Sequence, residues 1–365
     1  MKFIHLADVH LGAVPERGSA LGEVREGEIW KTFRRVIESI HDDPVDLLFI
    51  AGDLFHRQPL LKELREVNYL FSTIPSTMVF LMAGNHDYLK KNSFYRDYPW
   101  AENVIFFDEE EMSCAKAGDL DVYVYSHSYE RKEIPERLYD RVRPGNEPGL
   151  HILMAHGGDQ SHIPFDYRTL STSGFDYVAL GHIHKPQIFP GGRAAYPGSL
   201  EPLDRNEDGS HGYLKGTFEN GEVKLSFFPA ACRSYVNVSL NVKEDTTQFD
   251  LEDRLKELIL EKGKNNLYLV SLKGRRSPDT VFLPERLMEL GNVIEVRDDT
   301  RPAFQLGELE RRYSGTLVGS YIAAFREKEN LTEVEEKALY YGLTALLETN
   351  NVSQKIANTK LRKDQ

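Results

Sequence analysis

Cysteine is almost missing from this chain of 365 residues, which contains only Cys114 and Cys232. Two cysteines so far apart argue against a disulfide framework and against a zinc site built from thiolates. No apolar run approaches the roughly 20 residues that a membrane-spanning helix needs, so no membrane is expected among the partners. The first residues run directly into a polar motif and leave no room for a signal peptide, so we expect a cytoplasmic protein.

The chain also lacks a net positive charge, and its formal charge is -12 at pH 7. This argues against a protein that binds nucleic acid through an overall basic surface. It does not exclude a nuclease, since bound divalent cations would neutralise an acidic site and attract a phosphodiester locally. The length of the chain predicts two or three domains.

Five short motifs rich in Asp, His and Asn stand out, and each follows an apolar run that is typical of a strand. They are Asp8-Val9-His10, Gly52-Asp53-Leu54-Phe55-His56, Gly84-Asn85-His86-Asp87, Ala155-His156-Gly157 and Gly181-His182-Ile183-His184. Five in series predict a sheet that presents these side chains at the carboxyl ends of its strands, where open α/β sheets bind their ligands. Mixed nitrogen and oxygen ligands of this kind suit two divalent cations that share one site.

Three domains are predicted from the periodicity of the chain. Residues 1–235 hold the five motifs, with helices at 28–40 and 60–71. Short strands follow residue 196, and Asn220-Gly221 is a strong hairpin signal between 212–218 and 223–228. We expect them to form a second sheet packed on the first, which gives an α/β core built as a two-sheet β-sandwich with flanking helices. Residues 236–300 are predicted to form a small α/β unit, and residues 301–365 a helical segment.

In their order, the motifs resemble the metal-binding blocks of the calcineurin-like metallophosphoesterases, over roughly the first two hundred residues. The resemblance implies two metal ions bridged by Asp53, and it favours manganese. One ion would be bound by Asp8, His10, Asp53 and His184, and the other by Asp53, Asn85, His156 and His182.

Three further motif residues are predicted to be catalytic. His86 is the candidate acid for the leaving oxygen, because it lies next to the ligand Asn85 but is not expected to bind metal. Asp87 is expected to accept a hydrogen bond from the His86 ring and so to fix its tautomer. The resemblance gives His56 a role in orienting the phosphate or His86. The remaining histidines are interpreted as ordinary core or surface residues: His5, His41, His127, His151, His162 and His211.

Two stretches sharpen the resemblance, residues 5–12 and residues 196–202. Both resemble the SbcD-type DNA-repair nucleases and their meiotic-recombination relatives. The resemblance implies a DNA exonuclease and endonuclease that processes DNA ends, with residues 236–300 as a DNA-capping domain. It also implies a C-terminal segment that binds an SbcC-type ABC ATPase, a homodimer with residues 60–71 as the candidate interface, and a location at the nucleoid.

Two other functions stay open. A small-molecule phosphodiesterase, acting on cyclic nucleotides or nucleotide-linked lipids, would use the same metals, although the residues beyond 235 and the stretch at 196–202 favour the nuclease. A scaffold subunit whose metals only stiffen the fold would have no need for His86.

Overall fold

The computed structural model describes residues 1–19, 21–326, 328 and 331–361. These residues form two compact units, Met1–Val236 and Asn237–Gln365. The finer division of the second unit into a cap and a helical segment stays a prediction. Among the described residues, no helix is both long enough and apolar enough to cross a membrane.

The first unit is a mixture of strands and helices. Its strands are β1 (Lys2–Leu6), β2 (Leu47–Ala51), β3 (Met78–Met82), β4 (Val104–Phe107), β5 (Ser113–Lys116), β6 (Val122–Ser126), β7 (Leu150–His156), β8 (Tyr177–Gly181), β9 (Gln187–Ile188), β10 (Ala194–Tyr196), β11 (Gly212–Glu219) and β12 (Glu222–Pro229). Its helices are α1 (Leu21–Asp42), α2 (Leu61–Ser72) and α3 (Tyr167–Ser171), with a single 3-10 turn at Tyr139–Arg141.

Two six-stranded sheets face each other in this unit. The first has the order β12-β11-β1-β2-β3-β4 and the second the order β5-β6-β7-β8-β10-β9. Alternation along β2 shows how the layers are built: Leu47 and Phe49 point into the cluster shared with the second sheet, whereas Leu48 and Ile50 point into the cluster under the helices. The predicted α/β fold with two packed sheets and flanking helices is confirmed.

Two details of the predicted sheets were wrong. The hairpin of β11 and β12 does not begin the second sheet but extends the first, because β11 pairs antiparallel with β1. The five motif strands do not share one sheet: β1, β2 and β3 lie in the first, and β7 and β8 lie in the second. Turn chemistry at Asn220-Gly221 fixes which strands form the hairpin, but it carries no information about the strand beside it.

The helices α1 and α2 cover the outer face of the first sheet. Ile29, Phe33 and Ile37 of α1 pack in one buried cluster with Leu64 and Phe71 of α2. The apolar spacing predicted both helices, and α1 begins seven residues before the predicted start at residue 28. Burial of these faces anchors the sheet whose strand ends carry the first three motifs.

The second unit combines a small sheet with helices. Its strands are β13 (Tyr235–Val242), which begins in the last residues of the first unit, β14 (Leu267–Arg276), β15 (Val293–Asp298) and β16 (Arg301–Pro302). Its helices are α4 (Gln248–Lys262), α5 (Pro284–Met288), α6 (Leu306–Arg312), α7 (Leu317–Arg326) and α8 (Glu333–Leu361). The strand order is β13-β14-β15, and β16 also pairs with β14. Val318, Ile322 and Leu343 form the core of the helical part.

Candidate metal centre

The carboxyl ends of five strands bring the predicted ligands together. They lie after β1 (Asp8, His10), after β2 (Asp53), after β3 (Asn85), at the end of β7 (His156) and after β8 (His182, His184). Asp8, His10, Asp53, Asn85 and His156 are buried. The sandwich thus places two groups of ligands, one from each sheet, in a common pocket.

The backbone of the centre is held in an uncommon conformation. Asp8, His10, Asp53 and His182 have φ angles of 50°, 53°, 51° and 100°. Positive φ is uncommon for residues other than glycine, and such strain is concentrated at functional sites. These residues lie just beyond the ends of the strands β1, β2 and β8.

Gly52 allows the two sheets to approach each other at the centre. Its φ is +88°, and a Cβ at this position would lie 2.3 Å from Nδ1 of His156. Gly181 is equally confined, because a Cβ there would lie 1.9 Å from the carbonyl oxygen of Ala51. The glycines that open these motifs are therefore required by space, independently of any ligand.

One cluster of ligand atoms forms around Asp8, His10 and His184. Nε2 of His10 lies 3.1 Å from Nε2 of His184, and the latter lies 3.9 Å from Oδ1 of Asp8. The ligand atoms of these three residues all lie within 4.8 Å of one another. They match three of the four ligands predicted for the first ion, and Asp53 is the fourth.

A second cluster forms around Asn85. Its Oδ1 lies 2.9 Å from Nε2 of His156 and 3.2 Å from Nδ1 of His182. Nδ1 of His156 donates to the carbonyl oxygen of Ala51 at 2.9 Å, so in the neutral ring Nε2 carries a lone pair. When His156 is neutral, its Nε2, Nδ1 of His182 and Oδ1 of Asn85 direct lone pairs at one another, and a cation between them would displace the proton that Nε2 otherwise carries. The residues present fit a divalent metal ion on this ground.

Asp53 lies between the two clusters. Its Oδ2 is 3.7 Å from Nε2 of His10 and 3.5 Å from Nε2 of His156, one nitrogen from each cluster. Its Oδ1 accepts the backbone N–H of His86 at 2.8 Å. The carboxylate is thus fixed by a neighbouring loop in the position that a bridging ligand needs.

Sequence reasoning missed the acceptor that orients His184. Nδ1 of His184 donates to Oε1 of Glu207 at 2.6 Å, which leaves Nε2 directed at the first cluster. The backbone N–H of Leu203 in turn donates to Glu207 at 2.9 Å. Outer carboxylates of this kind commonly fix metal-binding imidazoles. Glu207 lies 23 residues beyond its histidine and outside the motifs, so nothing in the pattern signalled it.

Asp159 has the same role for His182, and it was missed as well. Nε2 of His182 donates to Oδ2 of Asp159 at 2.7 Å, and this carboxylate also lies 2.9 Å from Nδ1 of His162. His162, interpreted from the sequence as an ordinary loop residue, therefore belongs to the rim of the centre. The spacing of Asp159 and His162 in one short loop was the only available signal.

Burial lowers the pKa of the buried histidines, whereas neighbouring carboxylates raise it. Burial disfavours the charged form of His156, but the Asp53 carboxylate overrides it and raises the pKa of His156 to about 9. Burial likewise opposes protonation of His184, yet its hydrogen bond to Glu207 raises the pKa to about 9. For His182, burial prevails and lowers the pKa to about 4. The carboxylates thus attract positive charge to the pocket, and metal binding there displaces protons.

His86 and His56 lie beside the first cluster. The His86 ring stacks on the His56 ring with centroids 5.0 Å apart and lies 4.8 Å from the ring of His10. Nδ1 of His86 lies 3.3 Å from the carbonyl oxygen of His56, while Nδ1 of His56 lies 3.3 Å from Nδ1 of His10. His86 is only half-buried. The ring is therefore adjacent to the ligands yet accessible to a substrate.

The contact predicted between Asp87 and His86 is not what the structure shows. The Asp87 carboxylate is fully buried and accepts the backbone N–H groups of Phe55 and Gly84, at 3.1 and 2.7 Å. Burial, together with the nearby Asp53, raises the pKa of Asp87 to about 8. Adjacent residues at this turn point in opposite directions, so Asp87 ties two motif loops together while His86 faces outward.

Comparison with known proteins agrees with this geometry. The family described as calcineurin-like phosphoesterase matches residues 1–186, half of the chain and all the predicted ligands. The chain belongs to this family. It is accordingly a metal-dependent phosphoester hydrolase. The family uses divalent metals, in agreement with the ligand clusters.

Several relatives support the predicted nuclease branch of the family. The chain is 31% identical over 248 residues to an uncharacterized metallophosphoesterase, YhaO, of Bacillus subtilis, a match covering 62% of the chain and 60% of that protein. It is 28% identical over 269 residues to the DNA double-strand break repair protein Mre11 of Methanocaldococcus jannaschii, covering 67% and 70%. Mre11 of Archaeoglobus fulgidus is 26% identical over 336 residues, covering 81% and 74%.

Proposed function

We propose that this phosphoesterase is a dimetal nuclease that hydrolyses phosphodiester bonds at DNA ends during double-strand-break repair. The main support for two metal ions is the position of Oδ2 of Asp53, which lies within 4 Å of a histidine nitrogen of each ligand cluster. The similarity to archaeal Mre11 proteins over two thirds or more of the chain supports DNA as the substrate.

Each group in the centre has a distinct task in this proposal. Asp8, His10, Asp53 and His184 would hold one ion, and Asp53, Asn85, His156 and His182 would hold the other. Two divalent cations bound there would supply a nucleophile from water at neutral pH and would neutralise charge on the phosphoryl oxygens.

Protonation of the leaving group falls to His86. Its Nδ1 is directed at the carbonyl oxygen of His56, so Nε2 is the atom that delivers a proton to the leaving oxygen. The stacked ring of His56 holds His86 in this orientation. Asp87 contributes by joining the loops of Phe55 and Gly84, which fixes the turn that carries His86.

Manganese is the proposed native ion, because borderline nitrogen ligands combined with carboxylates suit manganese, iron or zinc better than magnesium or calcium.

The proposal extends to a nuclease homodimer at the nucleoid, with an SbcC-type ABC ATPase as partner. Residues 60–71 and the C-terminal helices are the proposed contact segments for the second copy and for the ATPase, respectively.

The test uses purified protein, manganese and an end-labelled DNA duplex, with a generic aryl phosphodiester as a second substrate. Cleavage of DNA by the wild-type protein and its loss in His86→Ala would support the proposal. Cleavage of the aryl ester without cleavage of DNA would contradict it and favour a small-molecule phosphodiesterase. Cleavage of neither substrate, with metal bound, would favour the scaffold.

A further inference from the structure

A cleft of about 420 Å³ opens beside His86 and Asn85. Its lining also includes Arg57, Gln58, Tyr88, Lys90 and Lys132. Its volume is within the range of small-ligand sites. Three of these side chains are cations, and no carboxylate of the described residues lines the cleft. In a chain with a net charge of -12, this local excess of positive charge requires an explanation.

Among the described residues, no carboxylate forms an ion pair with Lys90 or Lys132, and three acidic residues of this region are paired with arginines. Glu63 forms a bidentate pair with Arg57 at 2.8 and 2.9 Å. Glu130 pairs with Arg96, and Glu136 with Arg131 at 2.9 Å. Each of these carboxylates is therefore occupied by an arginine.

Lys90 and Lys132 remain available to a ligand. Both are exposed, and within the described part of the chain neither has an ion pair. Nζ of Lys90 lies 5.4 Å from the centroid of the Tyr88 ring. The amide of Gln58 donates to the carbonyl oxygen of Tyr88 at 2.6 Å and holds this wall in place. Two ammonium groups without an ion pair among the described residues thus line one cleft, and together they can bind an anion.

We propose that this cleft, through Lys90 and Lys132, binds the phosphate that follows the scissile bond on the leaving-group side of a nucleic-acid strand. His86, the proposed acid for the leaving oxygen, lines the same cleft, so the part of the substrate beyond that oxygen must lie here. In a polynucleotide, this part carries another phosphate one nucleotide away. The inference rests on the proposed function and makes it more specific: the site prefers leaving groups that are themselves anionic.

The two substrate classes should therefore differ in how much binding they gain from the lysines. An aryl phosphodiester has an uncharged leaving group and gains nothing from the lysines. A nucleic-acid strand gains the release of counterions for each phosphate that a lysine neutralises. The cleft therefore provides the local basic patch that a nuclease of acidic composition needs.

The first experiment measures binding without catalysis. A fluorescent single-stranded oligonucleotide is titrated with full-length protein in EDTA, and anisotropy is recorded at several salt concentrations. The double variant Lys90→Ala/Lys132→Ala should bind roughly tenfold more weakly. Its plot of log affinity against log salt should be shallower by about 0.7 for each lost phosphate contact. The control Lys31→Ala/Lys91→Ala removes the same charge from exposed lysines outside the cleft and should bind like the wild type.

The second experiment compares the hydrolysis of two substrates with manganese present. The cleft variant should lose about tenfold in kcat/KM for the oligonucleotide and keep its rate on the aryl phosphodiester. Equal losses on both substrates would overturn the inference, because they would indicate damage to the metal centre. Unchanged binding and unchanged oligonucleotide cleavage would overturn it as well.

The two proposals can fail separately. If the wild type binds the oligonucleotide through the lysines but hydrolyses only the aryl ester, the nuclease function fails and the anion-binding cleft stands. If the wild type cleaves DNA and the cleft variant matches it, the nuclease stands and the cleft inference fails.

Discussion

The two sheets contribute to the proposed metal centre in different ways. The first supplies carboxylate and amide oxygens and His10, and its carboxylates are fixed by backbone N–H groups from neighbouring loops: Asp8 accepts from His182, and Asp53 from His86. The second supplies imidazoles only, and these are fixed by acceptors outside the centre. The two carboxylates thus depend on the course of the backbone, whereas His182 and His184 depend on the side chains of Asp159 and Glu207.

This difference predicts how substitutions should affect metal binding by the residues of each sheet. A backbone N–H group survives most substitutions, so metal binding by the residues of the first sheet should be sensitive chiefly to loss of the ligand itself. Metal binding by the residues of the second sheet should be sensitive also to residues that never touch the metal. Four predictions test this contrast.

The largest effect is expected for Asp53→Asn. The amide keeps the shape but removes the charge shared by both clusters, so both ions should be lost together. Several kcal/mol of transition-state stabilisation would disappear, about a thousandfold or more in kcat/KM. Metal analysis by mass spectrometry and the rate on an aryl phosphodiester check this. Retention of one full equivalent of metal would show that Asp53 belongs to a single ion.

His86→Ala should separate chemistry from metal binding. Loss of the acid should slow cleavage of DNA by roughly 10²–10⁴-fold, because the leaving alkoxide is strongly basic. The loss should be much smaller for a nitrophenyl ester, whose leaving group needs no proton. Metal content should stay unchanged, and His41→Ala, on the exposed end of α1, is the control. Loss of metal in His86→Ala would make this residue a ligand.

Glu207→Gln and Asp159→Asn should each weaken metal binding about 10–100-fold at one ion only. Glu207 orients His184 of the first cluster, and Asp159 orients His182 of the second. Calorimetric titration of each variant with manganese should therefore reveal one altered step and one intact step. Two intact steps in both variants would remove the proposed contrast between the sheets.

Gly52→Ala should lower the free energy of unfolding by roughly 1–3 kcal/mol, because the residue combines a positive φ with a Cβ that meets His156. Gly27→Ala is the matched control: Gly27 is exposed on α1, and a Cβ there meets nothing within 4 Å. It should stabilise the protein by about 0.5–1 kcal/mol. Denaturant unfolding measures both, and equal effects would contradict the steric account of Gly52.

The motifs in the sequence predicted that the seven proposed ligand side chains lie at strand ends, because strand ends and glycine turns are encoded locally. Sheet membership was not predictable in the same way, since β7 carries the same apolar pattern whichever sheet it joins. Glu207 and Asp159 are ordinary acidic loop residues until the fold brings them to a histidine. The opposite directions of His86 and Asp87 likewise depend on the turn geometry.

Anomalous scattering from crystals grown with manganese tests the central claim most directly. The account predicts two peaks about 3.5–4 Å apart, with Asp53 touching both. One peak should lie among Asp8, His10 and His184, and the other among Asn85, His156 and His182. A single peak, or a peak held by Asp159, His162 and His182 in place of the second, would contradict the dimetal centre bridged by Asp53.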